Sequence, residues 1–86
     1  MTLTDQIKQS ISTISGLSWQ EIIRKSMRVK PFYIRMIIAY RLKNVLKPKD
    51  IAKIVNRDRT TVNYYIGKYE DEYEANEAFR ELADKI

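Results

Sequence analysis

The sequence has 86 residues, of which 44% are hydrophobic, and this predicts one folded domain rather than a disordered chain. It contains neither cysteine nor histidine, which excludes a disulfide scaffold and catalysis by a Ser-His or Cys-His pair, and argues strongly against a zinc finger. The formal net charge is +5, but residues 1–69 carry 14 Lys and Arg against 4 Asp and Glu, whereas residues 70–86 carry 2 against 7. A basic body with an acidic tail favours a polyanionic partner over a charge that serves solubility alone.

The sequence also limits the cellular compartment of the protein and the reactions that it could catalyse. No apolar run approaches the ~20 residues of a membrane span, and the amino terminus lacks the apolar block of a signal peptide, so we expect a cytoplasmic protein. The two glycines, Gly16 and Gly67, cannot supply a Walker A motif or a dinucleotide-binding fingerprint. We therefore expect no cofactor, no metal and no enzymatic activity.

Two helices and a basic loop are predicted first along the chain. A helix over residues 3–15 should end at Gly16, and Ser18 with Glu21 forms a capping box that opens a short second helix, from residue 19 to about 25. The run over residues 24–30 breaks helical periodicity. Pro31 should in addition hold Lys30 in an extended conformation. This basic loop could lie on DNA phosphates or enter a minor groove, or it could be a solvated connection. Its four cations are Arg24, Lys25, Arg28 and Lys30.

The longest apolar pattern begins at Pro31 and predicts a central helix against which the others pack. Its apolar positions keep helical spacing and are Ile34, Ile37, Ile38, Leu42 and Val45. The opposite face carries Arg35, Lys43 and Arg41, which could contact phosphates or simply face solvent.

Residues 48–69 are predicted to form a helix-turn-helix. Pro48 suits a first helical turn, the pair Asn56-Arg57 breaks the pattern, and Asp58 can cap the next helix. Lys49 is a candidate phosphate contact on the first helix. The second helix should bury Val62, Ile66 and Tyr69. Its outward face suits contact with base edges in a major groove, although an ordinary solvated helix is the alternative; the outward residues are Arg59, Thr60, Asn63, Tyr64 and Lys68.

The acidic tail, residues 71–86, should form a last amphipathic helix that folds back on the core and bends near 71–75. Its apolar residues are Tyr73, Phe79, Leu82 and Ile86. Because its charge would repel DNA, it should lie away from the binding face. The sequence thus predicts an all-α bundle of five to six helices in one domain, with an amino-terminal helix (1–16), a core (17–70) and an acidic carboxy-terminal helix.

The segment from Asn56 to Val62, Asn-Arg-Asp-Arg-Thr-Thr-Val, resembles the Gly-Gly-Arg-Asp-His-Thr-Thr-Val signature of the carboxy-terminal DNA-binding domain (domain IV) of the bacterial replication initiator DnaA. Pro31 stands at the same distance from this segment as the family's proline, which opens the long helix after its basic loop. Pro48 falls at the family's Leu-Pro-Glu-Ile-Gly segment. The resemblance covers about residues 17–86.

The resemblance implies that the second helix of the helix-turn-helix lies in the major groove of duplex DNA. In the family, the signature residues contact base edges and flanking phosphates, and here they are Arg57, Asp58, Arg59, Thr60 and Thr61. A loop arginine of the family enters the adjacent minor groove, a part that falls here to Arg24 or Arg28. Arg59 replaces the family's histidine and should favour guanine at that step. The ATPase module of the initiator is absent from these residues, so we expect a stand-alone module or an excised domain.

The leading hypothesis is therefore sequence-specific binding of double-stranded DNA without ATPase activity, in replication control, transcription control or a mobile element. The alternative is a protein-interaction module that docks an acidic partner or forms a homodimer through a tyrosine-rich face. That face would comprise Tyr64, Tyr65, Tyr69 and Tyr73. Binding of RNA is less favoured, because a helix that contacts bases in the major groove suits B-form DNA and not A-form RNA.

Overall fold

Six helices make up the part of the chain that the computed structural model describes, residues 3–25 and 28–86. No strand occurs within these two ranges, and none of their helices is long and apolar enough to cross a membrane. The predicted all-α bundle is confirmed. The helices are α1 (Leu3–Ser15), α2 (Trp19–Ile23), α3 (Val29–Leu42), α4 (Pro48–Val55), α5 (Arg59–Ala75) and α6 (Glu77–Lys85).

The central position predicted for α3 is confirmed, since it packs against α2, α4, α5 and α6. Every residue from 34 to 39 is buried, so this part of α3 has no solvent-exposed face. The prediction that Arg35 lies on an outward face and contacts phosphates is therefore wrong: its side chain is 3% exposed. Val45 is not part of the apolar stripe either, because α3 ends at Leu42 and Val45 is 64% exposed in the following turn.

Pro31 is the third residue of α3 rather than the residue that opens it. The helix begins at Val29, so Lys30 is helical and the predicted extended conformation is wrong. A helix tolerates proline there because the first N–H groups have no intrahelical partner to lose. The basic loop is consequently shorter than predicted, and its residues 26 and 27 lie outside the described ranges.

Local signals at the other helix ends are confirmed. Gly16 ends α1 with a left-handed φ of 76°, which glycine adopts without steric cost. The hydroxyl of Ser18 accepts a hydrogen bond from the backbone N–H of Glu21 at 3.2 Å, and the Glu21 carboxylate accepts one from the Ser18 N–H at 3.4 Å. The capping box thus starts α2, which ends at Ile23, two residues earlier than predicted.

The acidic tail breaks at Asn76, later than the predicted bend over residues 71–75. α5 continues to Ala75, beyond the predicted end of the helix-turn-helix at residue 69, so the acidic residues are divided between α5 and α6. The Asn76 side chain accepts from the backbone N–H of Phe79 at 3.1 Å and caps α6. Phe79 is fully buried and meets the rings of Tyr33 and Tyr69 edge-on, which holds α6 on the core.

Candidate nucleic-acid interface

A three-residue turn joins α4 to α5 and sets their relative placement. Asn56 ends α4 in a left-handed conformation, φ 57° and ψ 46°, which asparagine tolerates better than most residues. The backbone N–H of Arg57 donates to the carbonyl of Ala52 at 3.0 Å, and Asp58 accepts from the backbone N–H of Thr61 at 2.7 Å. Both helix ends are therefore satisfied within the turn, and the helix-turn-helix needs no glycine.

Two residues of the predicted inner face of α5, Val62 and Tyr69, are buried, whereas the third, Ile66, is half-buried. Val62, Tyr65 and Tyr69 are 0%, 3% and 7% exposed and attach the helix to the core. The sequence prediction omitted Tyr65 from the inner face, although its spacing from Val62 and Tyr69 is helical. Lys68 is half-buried. The outward residues at the start of α5 are all exposed, and they are Arg59, Thr60, Asn63 and Tyr64.

Exposed cations surround the start of α5. Lys25 of the basic loop and Lys53 of α4 line a notch of about 470 Å³ whose floor is the turn before α5. Lys53 was not among the predicted site residues, although its four-residue spacing from the exposed Lys49 places both on one side of α4. The remaining residues that line the notch are Ala52, Asn56, Arg57, Asp58 and Thr61.

Arg57 and Lys30, both predicted DNA contacts, bind carbonyl oxygens of the protein itself. The Arg57 guanidinium donates to the carbonyls of Ile23 and Arg24, each at 3.0 Å. The Lys30 ammonium donates to the carbonyl of Ser15 at 2.7 Å, at the carboxy end of α1. These two cations therefore stabilise the fold around the interface, whereas Arg24, Lys25, Arg28 and Lys49 expose their side chains.

Two further cations of the sequence prediction also have protein partners. Arg41 donates to the carbonyl of Ala83 at 3.0 Å and so links α3 to the end of α6. The ammonium of Lys43 lies 4.6 Å from the centre of the Tyr40 ring. Arg28 forms an ion pair with Glu21 at 3.8 Å, but its side chain is 64% exposed and solvent screens this pair.

The acidic residues lie toward the other end of α5. This helix has 17 residues, and at 1.5 Å per residue Glu70 is roughly 16 Å along the axis from Arg59. The Glu70 carboxylate accepts a hydrogen bond from the Tyr40 hydroxyl, and Asp84 of α6 accepts one from the Tyr73 hydroxyl. Along the helix axis, the acidic residues at the end of α5 are thus separated from the notch, where Asp58 is the carboxylate among the lining residues.

The carboxyl group of Asp58 has an unusual acidity. Hydrogen bonds from Thr61, first from its side chain and then from its backbone N–H, hold the pKa of Asp58 below its ordinary value. A depressed folded-state pKa means that the stabilisation is complete above the ordinary carboxyl pKa and is lost as the pH falls through the lower folded value.

We expect Asp58→Asn to make the melting temperature less dependent on pH in the acidic range. The amide oxygen can still accept from Thr61, but it does not titrate, so the variant should lose less melting temperature between pH 7 and about pH 2 than the parent chain. Thermal unfolding followed by circular dichroism across this range measures the difference. Parallel acid limbs for the two proteins would show that Asp58 does not contribute to the pH dependence.

Comparisons with protein-family models, with curated proteins and with solved structures found no match to this chain. Among the described residues, no group of three or more carboxylates is placed to hold a metal ion. The interface is therefore characterised by its own geometry: an exposed polar helix start, a notch beside it, and exposed cations on the basic loop and on α4.

Proposed function

We propose that this protein binds double-stranded DNA in a sequence-specific manner through α5 and the basic loop. The observation that carries the proposal is the start of α5, which is fixed to the core by Val62 and Tyr65 while its outward side chains are exposed beside the notch. A rigid helix that presents polar side chains, with cations on both sides, has the arrangement required for entry into a major groove.

The exposed side chains have chemistry suited to base edges. Arg59 can donate two hydrogen bonds to guanine O6 and N7, and Asn63 can pair with adenine N6 and N7. Thr60 and Tyr64 offer apolar contact to a thymine methyl group. Asp58 is engaged with Thr61, so its role is to hold the helix start rather than to contact a base.

Phosphate contacts come from the exposed cations around the helix. Arg24, Lys25 and Arg28 belong to the basic loop, and Lys49 and Lys53 belong to α4. Such contacts supply affinity and fix the position of the protein on the duplex without distinguishing sequences. The resemblance to the DnaA domain supports the same division of roles, with Arg59 changing the preferred base, and a use in replication or transcription control is part of this proposal.

The tyrosine-rich face of the self-associating alternative has little exposed area. Tyr65 and Tyr69 are buried, and Tyr73 is half-buried with its hydroxyl bonded to Asp84, so these three cannot form an exposed tyrosine-rich face with Tyr64. Docking of an acidic protein on the basic surface is the remaining competitor.

Selection of bound duplexes from a random pool tests the proposed function. We expect a complex with random duplex DNA at low salt and an enriched sequence after several rounds at moderate salt. No complex at low salt would contradict DNA binding and favour the acidic protein partner, and binding without enrichment would contradict sequence specificity.

Replacement of Arg59 separates base contact from phosphate contact. We expect Arg59→Ala to cost about 1–3 kcal/mol on the selected site and to relax selection at one or two base pairs. Lys49→Ala is the matched control, because it removes one exposed cation from α4 and should weaken all duplexes alike. Competition binding with single-base variants of the selected site measures both effects. Unchanged binding by Arg59→Ala would contradict the placement of α5 in the major groove.

A further inference from the structure

Three consecutive carbonyl oxygens at the end of α2 are held by arginines from distant parts of the chain. Arg35 of α3 donates to the carbonyl of Ile22 at 2.7 Å. Arg57, in the turn before α5, donates to the carbonyls of Ile23 and Arg24, each at 3.0 Å. We call these two side chains, Arg35 and Arg57, the arginine clamp.

The clamp takes the place of a local helix cap. The last carbonyls of a helix have no intrahelical partner, and many helices satisfy them by a glycine in the left-handed conformation. α2 has only five residues, and Arg24 leaves it in an extended conformation, φ −64° and ψ 143°, so this local solution is absent. Satisfying the end of α2 therefore depends on residues 13 and 34 positions away.

Arg57 also joins the two parts of the proposed interface. One terminal nitrogen of its guanidinium contacts Ile23 and the carbonyl of Asn56, at 3.0 and 2.8 Å, and the other contacts Arg24. Asn56 belongs to the turn that precedes α5, and Arg24 is the first residue of the basic loop. The planar fork of an arginine fixes these carbonyls relative to each other in a way that a lysine ammonium does not.

We propose that Arg57, supported by the buried Arg35, is a positioning residue that holds the basic loop beside α5, so that loop and helix contact DNA as one preorganised unit. The inference rests on the proposed function. Without Arg57, Arg24 would lose the hydrogen bond that holds it near the turn before α5, so its ordering would fall to the binding step and weaken association. The acceptors within the clamp are neutral carbonyls and a tyrosine hydroxyl, so hydrogen bonds rather than ion pairs hold the two arginines.

Two substitutions of Arg57 distinguish positioning from direct contact with DNA. Arg57→Lys keeps the charge but loses the fork, and Arg57→Gln loses both. If Arg57 positions the loop, both variants should bind the selected duplex about tenfold more weakly, with the slope of log affinity against log salt close to that of the parent protein. If it contacts a phosphate, Arg57→Lys should bind like the parent and Arg57→Gln should lose about 0.9 from the slope, which would overturn the proposal.

Limited trypsin digestion of the free protein supplies a readout that does not require DNA. We expect cleavage after Arg24 and Lys25 to become about tenfold faster in Arg57→Lys, with little change after the exposed Lys43 or Lys53. Equal acceleration at all these sites would mean general destabilisation and would contradict a positioning role. If the parent protein binds no duplex, the proposed function fails, whereas loop-specific cleavage with tight parent binding and unaltered variant binding would overturn only the inference about Arg57.

Discussion

Replacing the buried Arg35 with methionine is expected to lower the free energy of unfolding by about 3 kcal/mol. The Arg35 side chain donates to the hydroxyl of Tyr65 at 3.1 Å and to the carbonyl of Ile22 at 2.7 Å, and it is 3% exposed. Methionine can fill much of the same space, but it leaves two buried polar groups without this partner, at about 1–3 kcal/mol each. Relief from burying a charge offsets part of that loss.

Thermal and urea unfolding measure this effect, with a melting temperature expected to fall by roughly 15 °C for a domain of this size. Lys47→Met is the matched control, because Lys47 is exposed and its side chain makes no cap hydrogen bond, so stability should stay within about 0.5 kcal/mol. Adding Tyr65→Phe to Arg35→Met should cost less than the sum of the two single changes, since the pair share one hydrogen bond. An Arg35→Met protein of parental stability would show that the two hydrogen bonds of Arg35 contribute no more to stability than the burial of its charge costs.

The helices and their ends were predictable because the signals are local. The capping box at Ser18 and Glu21, the left-handed Gly16 and the cap at Asp58 each depend on residues within three or four positions. The break at Asn76 has the same kind of signal, an asparagine before an acidic helix start. The continuous acidic run around it nevertheless predicts a single helix.

The roles of the arginines were not predictable from periodicity. Helical spacing places Arg35 opposite the apolar stripe of α3, but it does not reveal that α2 and α5 cover that side as well. Arg57 likewise lies in a turn where a side chain would be expected to face solvent, and its carbonyl partners are 33 and 34 residues away. Charge alone predicts that an arginine contacts a polyanion. In the folded chain, carbonyl oxygens at the end of a helix accept hydrogen bonds from the same guanidinium groups.

The sequence predicted the exposed elements of the candidate interface, but it did not predict the hydrogen bonds that hold these elements together. The exposed start of α5 and the cation-rich loop were both predicted, and the structure brings them together at the notch that contains Lys25 and Lys53. That proximity depends on the short length of α2 and on the clamp at its end, neither of which follows from the composition of the loop. The separation between the acidic end of α5 and Arg59 follows from the length of this helix.

Raising the salt concentration from 50 to 200 mM is expected to weaken binding of the selected duplex about a hundredfold. Five exposed cations lie on the basic loop and on α4, and we expect them to engage about four phosphates, for a slope of log affinity against log salt near −3.6. The cations are Arg24, Lys25, Arg28, Lys49 and Lys53. Fluorescence anisotropy with a labelled duplex at several salt concentrations measures the slope.

Removing single lysines shows whether the slope reports contacts or only net charge. Lys53→Ala should flatten it by about 0.9, because this side chain lies at the notch. Lys43→Ala removes the same charge from beside Tyr40, whose hydroxyl donates to Glu70 at the acidic end of α5, and should leave the slope unchanged, since charges beyond a Debye length of about 10 Å are largely screened at 0.1 M salt. Equal flattening by both variants would mean that DNA responds to the overall charge of the protein rather than to a defined face. A parental slope near zero would exclude the phosphate contacts themselves.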